Sequence, residues 1–239
     1  MDGLILHCGA QRVSRDELKL VTTPGPSKTW SPVSHFKVAS LIVQQAMDNG
    51  FEIAAESYGL TANGGRMFGL LKFNHSKHRD FTRCLGFRNS HDKCFALGLT
   101  VGVNVYICDN LCFGGEQTLH RRHTKNIDVE AMIPRAFNNL HEQYIMLEEN
   151  VERLKAQHIS MDDARIITCK AAEMRAIRPA DVVNVLKIFE QPLHKEFAEK
   201  NAWSLYNCLN EQPKRYSAAK ADNCYRCLSR LFAMGKVIA

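Results

Sequence analysis

Apolar positions recur with two different periods along this chain. Near the N-terminus, residues 3–7 read as a short strand, and Ser14 with Glu17 stands at capping-box spacing, which predicts a capped helical turn before the proline-rich loop "TTPGPSKTWSP". Ser34 is placed to cap a helix that runs to about Asn49, because Val38, Leu41, Ile42 and Ala46 share one face and Gly50 is suited to end it. From Phe51 the runs shorten. "FEIAAESYGL" and "RMFGLLKFN" flank Asn63, Gly64 and Gly65, residues that tolerate positive φ, and so predict a hairpin. "TRCLGFRN" and "KCFALGLTVGVNVYICDN" follow as further strands, joined through Ser90, His91 and Asp92. An antiparallel meander of about four strands is expected over residues 51–113.

The second half changes to helical spacing. Ile133, Phe137, Leu140, Tyr144, Leu147, Val151 and Leu154 alternate steps of four and three, a heptad seam that predicts one long helix over about 129–157. Ser160 with Asp163 starts the next helix, Pro179 begins another that Pro192 ends, and "NAWSLYNCLNE" and "DNCYRCLSRLFAMG" supply two more. The expected class is therefore α+β: an antiparallel β-meander preceded by a helix and followed by a helical half. The regions are 1–127 and 128–239, expected to pack as one domain.

Composition adds limits. The chain has 239 residues, 45% hydrophobic and 23% charged, as in an ordinary globular protein with a real core. It has no apolar run near twenty residues and no basic leader at "MDGLILHCGA", so no membrane association is expected and a cytoplasmic location is. Nine cysteines, an odd number and several within apolar runs, fit a reducing compartment. The net charge of +6 is carried by residues 61–126, which hold ten Lys/Arg against four Asp/Glu and five of the ten histidines. A basic segment on an otherwise neutral body suggests a polyanion partner, and a solvated surface is the plainer alternative.

Three groups of residues could carry chemistry. Arg88, Asn89, Ser90, His91 and Asp92 form either a plain turn between strands or a polar constellation in which His91 acts as base or ligand, oriented by Asp92 if the chain turns there. "GGEQTLHRRHTKN" places Arg121, Arg122 and Lys125 in one compact cationic group beside His123, close to the start of a helix that disfavours nearby cations. Cys224 and Cys227 form a lone C-x2-C inside a helical pattern, which reads as helix packing because a structural zinc site needs four ligands. No phosphate-binding loop, dinucleotide fingerprint, nucleophile elbow or zinc-protease motif is present, so neither a cofactor nor a resident metal is expected.

"LGFRNSHDKCFALGLTVGVNVYICDNLCFGGE" followed by "RRHTKN" resembles the core of the phage- and plasmid-borne family called domain of unknown function 932. "AWSLYNCLNE" resembles that family's late tryptophan-containing helix, with Asn210 where Thr is common. The resemblance spans most of residues 50–211 in the right order. It implies a prokaryotic mobile-element setting and supplies neither an activity nor a catalytic residue.

The expected function is nucleic-acid binding, with single-stranded DNA favoured, in recombination, replication or defence evasion. Arg88, Lys93, Arg121, Arg122 and Lys125 would meet phosphates at a rim of the sheet, beside a polar group of Asn89, Ser90, His91, Asp92, Asp109, Asn110 and His123. One alternative is a metal-assisted hydrolase using His91, Asp92, Asp109 and His123. Another is a protein-binding module that inhibits a host defence complex, or pairs with a second copy, through its helical half. A binding protein is expected rather than an enzyme.

Overall fold

The computed structural model describes residues 10–74, 81–105, 110–113, 118–192, 195–216 and 218–233. The strand expected at residues 3–7 lies outside them. The chain divides into two compact units, residues 1–104 with 117–144 and residues 105–116 with 145–239.

The first unit is built on an antiparallel sheet. Strand β1 (Gln11–Val13) pairs with β2 (Ile53–Leu60), which pairs with β3 (Arg66–Phe73), and β3 pairs with β4 (Phe81–Ser90). Next to β4 lies β5 (Leu97–Val105), and β7 (Leu119–Arg121) pairs antiparallel with the start of β5, Leu97 opposite Arg121. The meander thus holds the four strands expected and gains an outer strand on each side. The fifth strand begins at Leu97 rather than Lys93, because Asp92 turns the chain first: its side chain accepts the Cys94 backbone N–H at 3.1 Å. Gly69 stands opposite Phe87, and a Cβ there would lie 2.2 Å from the Phe87 ring, so the ring lies over the space that glycine leaves open.

Helix α1 (His35–Asp48) packs on β3 and β4. The Ser34 side chain accepts the Lys37 N–H, as the sequence predicts. At the other end Gly50 is left-handed (φ 76°), with Gly50 N–H donating to the Met47 carbonyl and Phe51 N–H to that of Ala46. This Schellman closure delivers Phe51 into an aromatic cluster with Phe73, Phe137 and Tyr144. The Tyr144 hydroxyl donates to the Cys84 carbonyl at 2.7 Å, which satisfies its one polar atom inside the core.

The single long helix expected from the heptad seam is two helices, α2 (Val129–Phe137) and α3 (Leu140–Ala156). Asn138 and Asn139, both poor helix formers, sit at the break, and Pro134 has no N–H to give to the ladder of α2. Asn138 keeps right-handed dihedrals (φ −55°, ψ −35°), so the seam stays in phase across the break. Ile133, Phe137, Leu140, Tyr144, Val151 and Leu154 are buried, and Leu147 is half-buried.

Among its described residues the second unit holds the short strand β6 (Asn110–Phe113) and is otherwise mostly helical. It contains α4 (Met161–Glu173), α5 (Val182–Glu190), α6 (Ala202–Asn210) and α7 (Ala218–Ala233). Ser160 and Asp163 form the expected capping box. Pro179 opens a 3-10 turn into α5, which stops before Pro192. Every residue of α6 is buried. Cys224 and Cys227 lie within α7, one buried and one half-buried. No helix among the described residues is long and apolar enough to cross a membrane.

Candidate functional site

Strand alternation separates the residues of "RNSHD". On β4, Asn89 lies on the face that meets the segment leading into α1, and Arg88 and Ser90 lie on the other. Asn89 is fully buried, and its amide uses every polar atom: Nδ2 donates to the Val33 carbonyl at 2.7 Å and to His35 Nδ1 at 2.8 Å. Its Oδ1 accepts from His123 Nε2 at 2.7 Å. His35 in turn donates through Nε2 to the Gly64 carbonyl at 3.0 Å, so its tautomer is set by partners on both sides and it must be neutral. His91 donates through Nε2 to the same Val33 carbonyl at 2.8 Å and stacks on His35 with ring centroids 3.7 Å apart. Its Nδ1 is buried without a partner.

Three histidines from distant parts of the chain therefore meet around one asparagine. Burial, reinforced by His91, pushes His35 down to about 4. Burial does the same to His123, also to about 4, and lowers His91. All three are neutral near pH 7. The network ties the 30–35 segment, the β2–β3 turn, the end of β4 and the stretch after β7 together.

Asp92 belongs to a separate cluster. Its Oδ1 accepts from the Ser90 hydroxyl at 2.6 Å and from the Cys94 N–H, and its Oδ2 pairs with Arg66 Nε at 2.6 Å. Burial works against the carboxylate, but these hydrogen bonds outweigh it and hold it at about 2. With both oxygens committed, Asp92 does not orient His91, and the acid–base pairing considered for the sequence is not formed. Asp109 lies outside the described residues, and Asn110 opens β6 in the second unit. Among the described residues, no group of three or more His, Cys, Asp or Glu could hold a metal ion. The Nε2 atoms of His91 and His123 are both engaged with oxygen acceptors, so among the described residues His91, Asp92 and His123 form no convergent donor set.

The cations sit around this network. Pairing of Leu97 with Arg121 brings the 91–96 loop beside the 121–125 stretch, so Lys93, Arg121, Arg122 and Lys125 gather at one end of the sheet, all exposed. None has a carboxylate partner among the described residues. The nearby acids are otherwise engaged: Asp92 with Arg66, Asp128 as the cap of α2, and Glu130 with Lys37 at 2.7 Å. Arg88 is placed differently, half-buried with its guanidinium 5.3 Å from the centroid of the Phe95 ring. Lys93 holds a left-handed backbone (φ 63°), and its Nζ lies 4.8 Å from the centroid of the Trp30 ring. Sequence reasoning missed His35, Val33, Arg66 and Trp30. No local signal marks them, because each joins the site across tens of residues.

The family model described as domain of unknown function (DUF932) matches residues 25–233, most of the chain. No curated protein and no solved structure matches.

Proposed function

The chain belongs to the domain of unknown function 932 family, and from that premise, which carries no activity, we propose that it binds the phosphate backbone of a nucleic acid, single-stranded DNA above all. The contacts are made by the exposed cations at the end of the sheet. In a mobile-element setting such binding serves recombination, replication or evasion of host defence.

One observation carries the reading: Lys93, Arg121, Arg122 and Lys125 are gathered by the β5–β7 pairing, exposed, and without acidic partners among the described residues. Like charges brought together repel, so a fold that assembles them without counter-charge has a surface that an anion stabilises. The Lys93 backbone points the same way. A left-handed conformation at a residue with a Cβ costs roughly 1–2 kcal/mol, and here it is spent on presenting an ammonium group. The Asn89 network beside them is neutral, and the adjoining Asp92 carboxylate is paired with Arg66.

Salt dependence tests this. Each phosphate contact on a single strand contributes a log–log slope of about −0.7, so four contacts give about −2.8. Replacing Arg121 and Arg122 by Gln should make the slope shallower by about 1.4 and weaken all sequences alike, because backbone contacts carry no base information. Titration of a fluorescently labelled oligonucleotide at several salt concentrations measures both. Absence of binding at low salt, or an unchanged slope in the double variant, would refute the proposal.

A further inference from the structure

We propose that the strap of residues 27–33 is a third wall of this interface, in which Lys28 contacts phosphate and Trp30 is a stacking platform for an unpaired base. The inference rests on the reading above and narrows its ligand to single-stranded nucleic acid.

The strap is tied directly to both cationic segments. Trp30 forms an antiparallel bridge with Thr124, and the Ser31 N–H donates to the His123 carbonyl at 3.1 Å, so the strap runs alongside the stretch that carries Arg121, Arg122 and Lys125. The Val33 carbonyl receives both Asn89 and His91, which links the strap to the loop that carries Lys93. The Ser27 N–H donates to the Trp30 carbonyl at 2.8 Å, closing a tight loop with Lys28 and Thr29 at its exposed tip. Because the bridge is antiparallel, that tip projects past Trp30 on the side where the chain continues from Thr124 to Lys125. Lys28, like the other four cations, has no carboxylate partner among the described residues.

Trp30 is half-buried, and Lys93 lies over its ring. A cation on an indole face and a base on the same face are alternatives, because both use the π surface. Lys93 thus covers the ring in the free protein. When a base stacks, it moves to the adjoining phosphate, a better partner for an ammonium group than an aromatic quadrupole. In a duplex each base face is already covered by its neighbours, so only a single strand can use the platform.

Two measurements test the strap separately from the rest of the interface. In protein carrying Trp203→Phe, Trp30 is the remaining tryptophan. Its fluorescence should be quenched by a saturating single-stranded 20-mer and not by the duplex of the same sequence. Lys28→Ser should make the single-strand salt slope shallower by about 0.7, and Trp30→Leu should weaken single-strand binding roughly tenfold with the slope unchanged, since stacking releases no counterions. If the Arg121/Arg122 double variant weakens binding while Trp30 emission stays constant at saturation and Lys28→Ser leaves the slope unchanged, the strap is not part of the site and the basic rim stands alone. If the unmodified protein binds no oligonucleotide at low salt, both proposals fail. The quenching measurement leaves Trp30 in place and so reads the platform even where Trp30→Leu disturbs the fold.

Discussion

Acidification should loosen the first unit well before it affects the carboxylates. His35 and His123 are held near 4 by burial, whereas in an unfolded chain each titrates near 6.5. Above about 6.5 both states leave the rings neutral and pH has no effect. Between about 6.5 and 4 the unfolded chain takes up protons that the folded chain refuses. Stability therefore falls with falling pH, by about 1.4 kcal/mol per unit for each histidine. At pH 5 two such groups would cost about 4 kcal/mol at the limit, and solvent screening reduces this to roughly 2–3 kcal/mol. His91 is shifted in the same direction and adds to the effect. Asp92 acts on the cluster in the opposite sense, raising His35 and His91, and the exposed cations Lys93, Arg121, Arg122 and Lys125 lie at the same end of the sheet. The Asp92 carboxylate is held at about 2, so its stabilising contribution is present above the unfolded range near 3.8 and is lost only as pH falls towards 2. The geometry requires the same outcome, because protonation of His35 would set an N–H against the Asn89 amide donor. Urea unfolding of the Trp203→Phe protein, followed through Trp30 at pH 7.5, 6.5, 5.5 and 4.5, reads the first unit directly. Constant unfolding free energy from pH 7.5 to 5 would refute the neutral-histidine network.

Two further substitutions test the packing. Leu140→Asp should cost at least about 3 kcal/mol, because Leu140 is fully buried and an unpaired charge there has no partner; a variant of unchanged stability by urea unfolding would mean the seam is a surface. Arg175→Gly should stabilise the second unit by about 1 kcal/mol, since Arg175 occupies the left-handed position (φ 60°) of a Schellman closure, with Ala176 N–H donating to the Ala171 carbonyl. A loss of stability in the same assay would show that the arginine side chain outweighs the strain.

Much of the architecture was legible because it follows from local chemistry. The Ser34 cap, the Gly50 terminator, the hairpin at Asn63–Gly65, the Ser160/Asp163 box and the switch from strand to heptad spacing each depend on residues within a few positions of one another. The buried seam was legible too, since a 4-3 apolar spacing gives a helix one face to cover. Its division into α2 and α3 was written in Pro134, Asn138 and Asn139, but heptad regularity masked it, because a break that keeps helical dihedrals does not disturb the apolar phase.

The candidate site divides differently. Composition alone located the basic segment, and the clustering of Arg121, Arg122 and Lys125 is a matter of adjacency. The roles within "RNSHD" were decided by tertiary structure. Asn89 and His91 face the strap and Asp92 faces Arg66, because the end of β4 and the turn after it present their side chains to different surroundings. His35 lies 54 residues from Asn89, and Val33 lies 58 from His91. Spacings of that size leave no periodic trace in a sequence. Such contacts exist only once the sheet and α1 have packed, when burial makes an unpaired amide or imidazole too costly to leave without a partner.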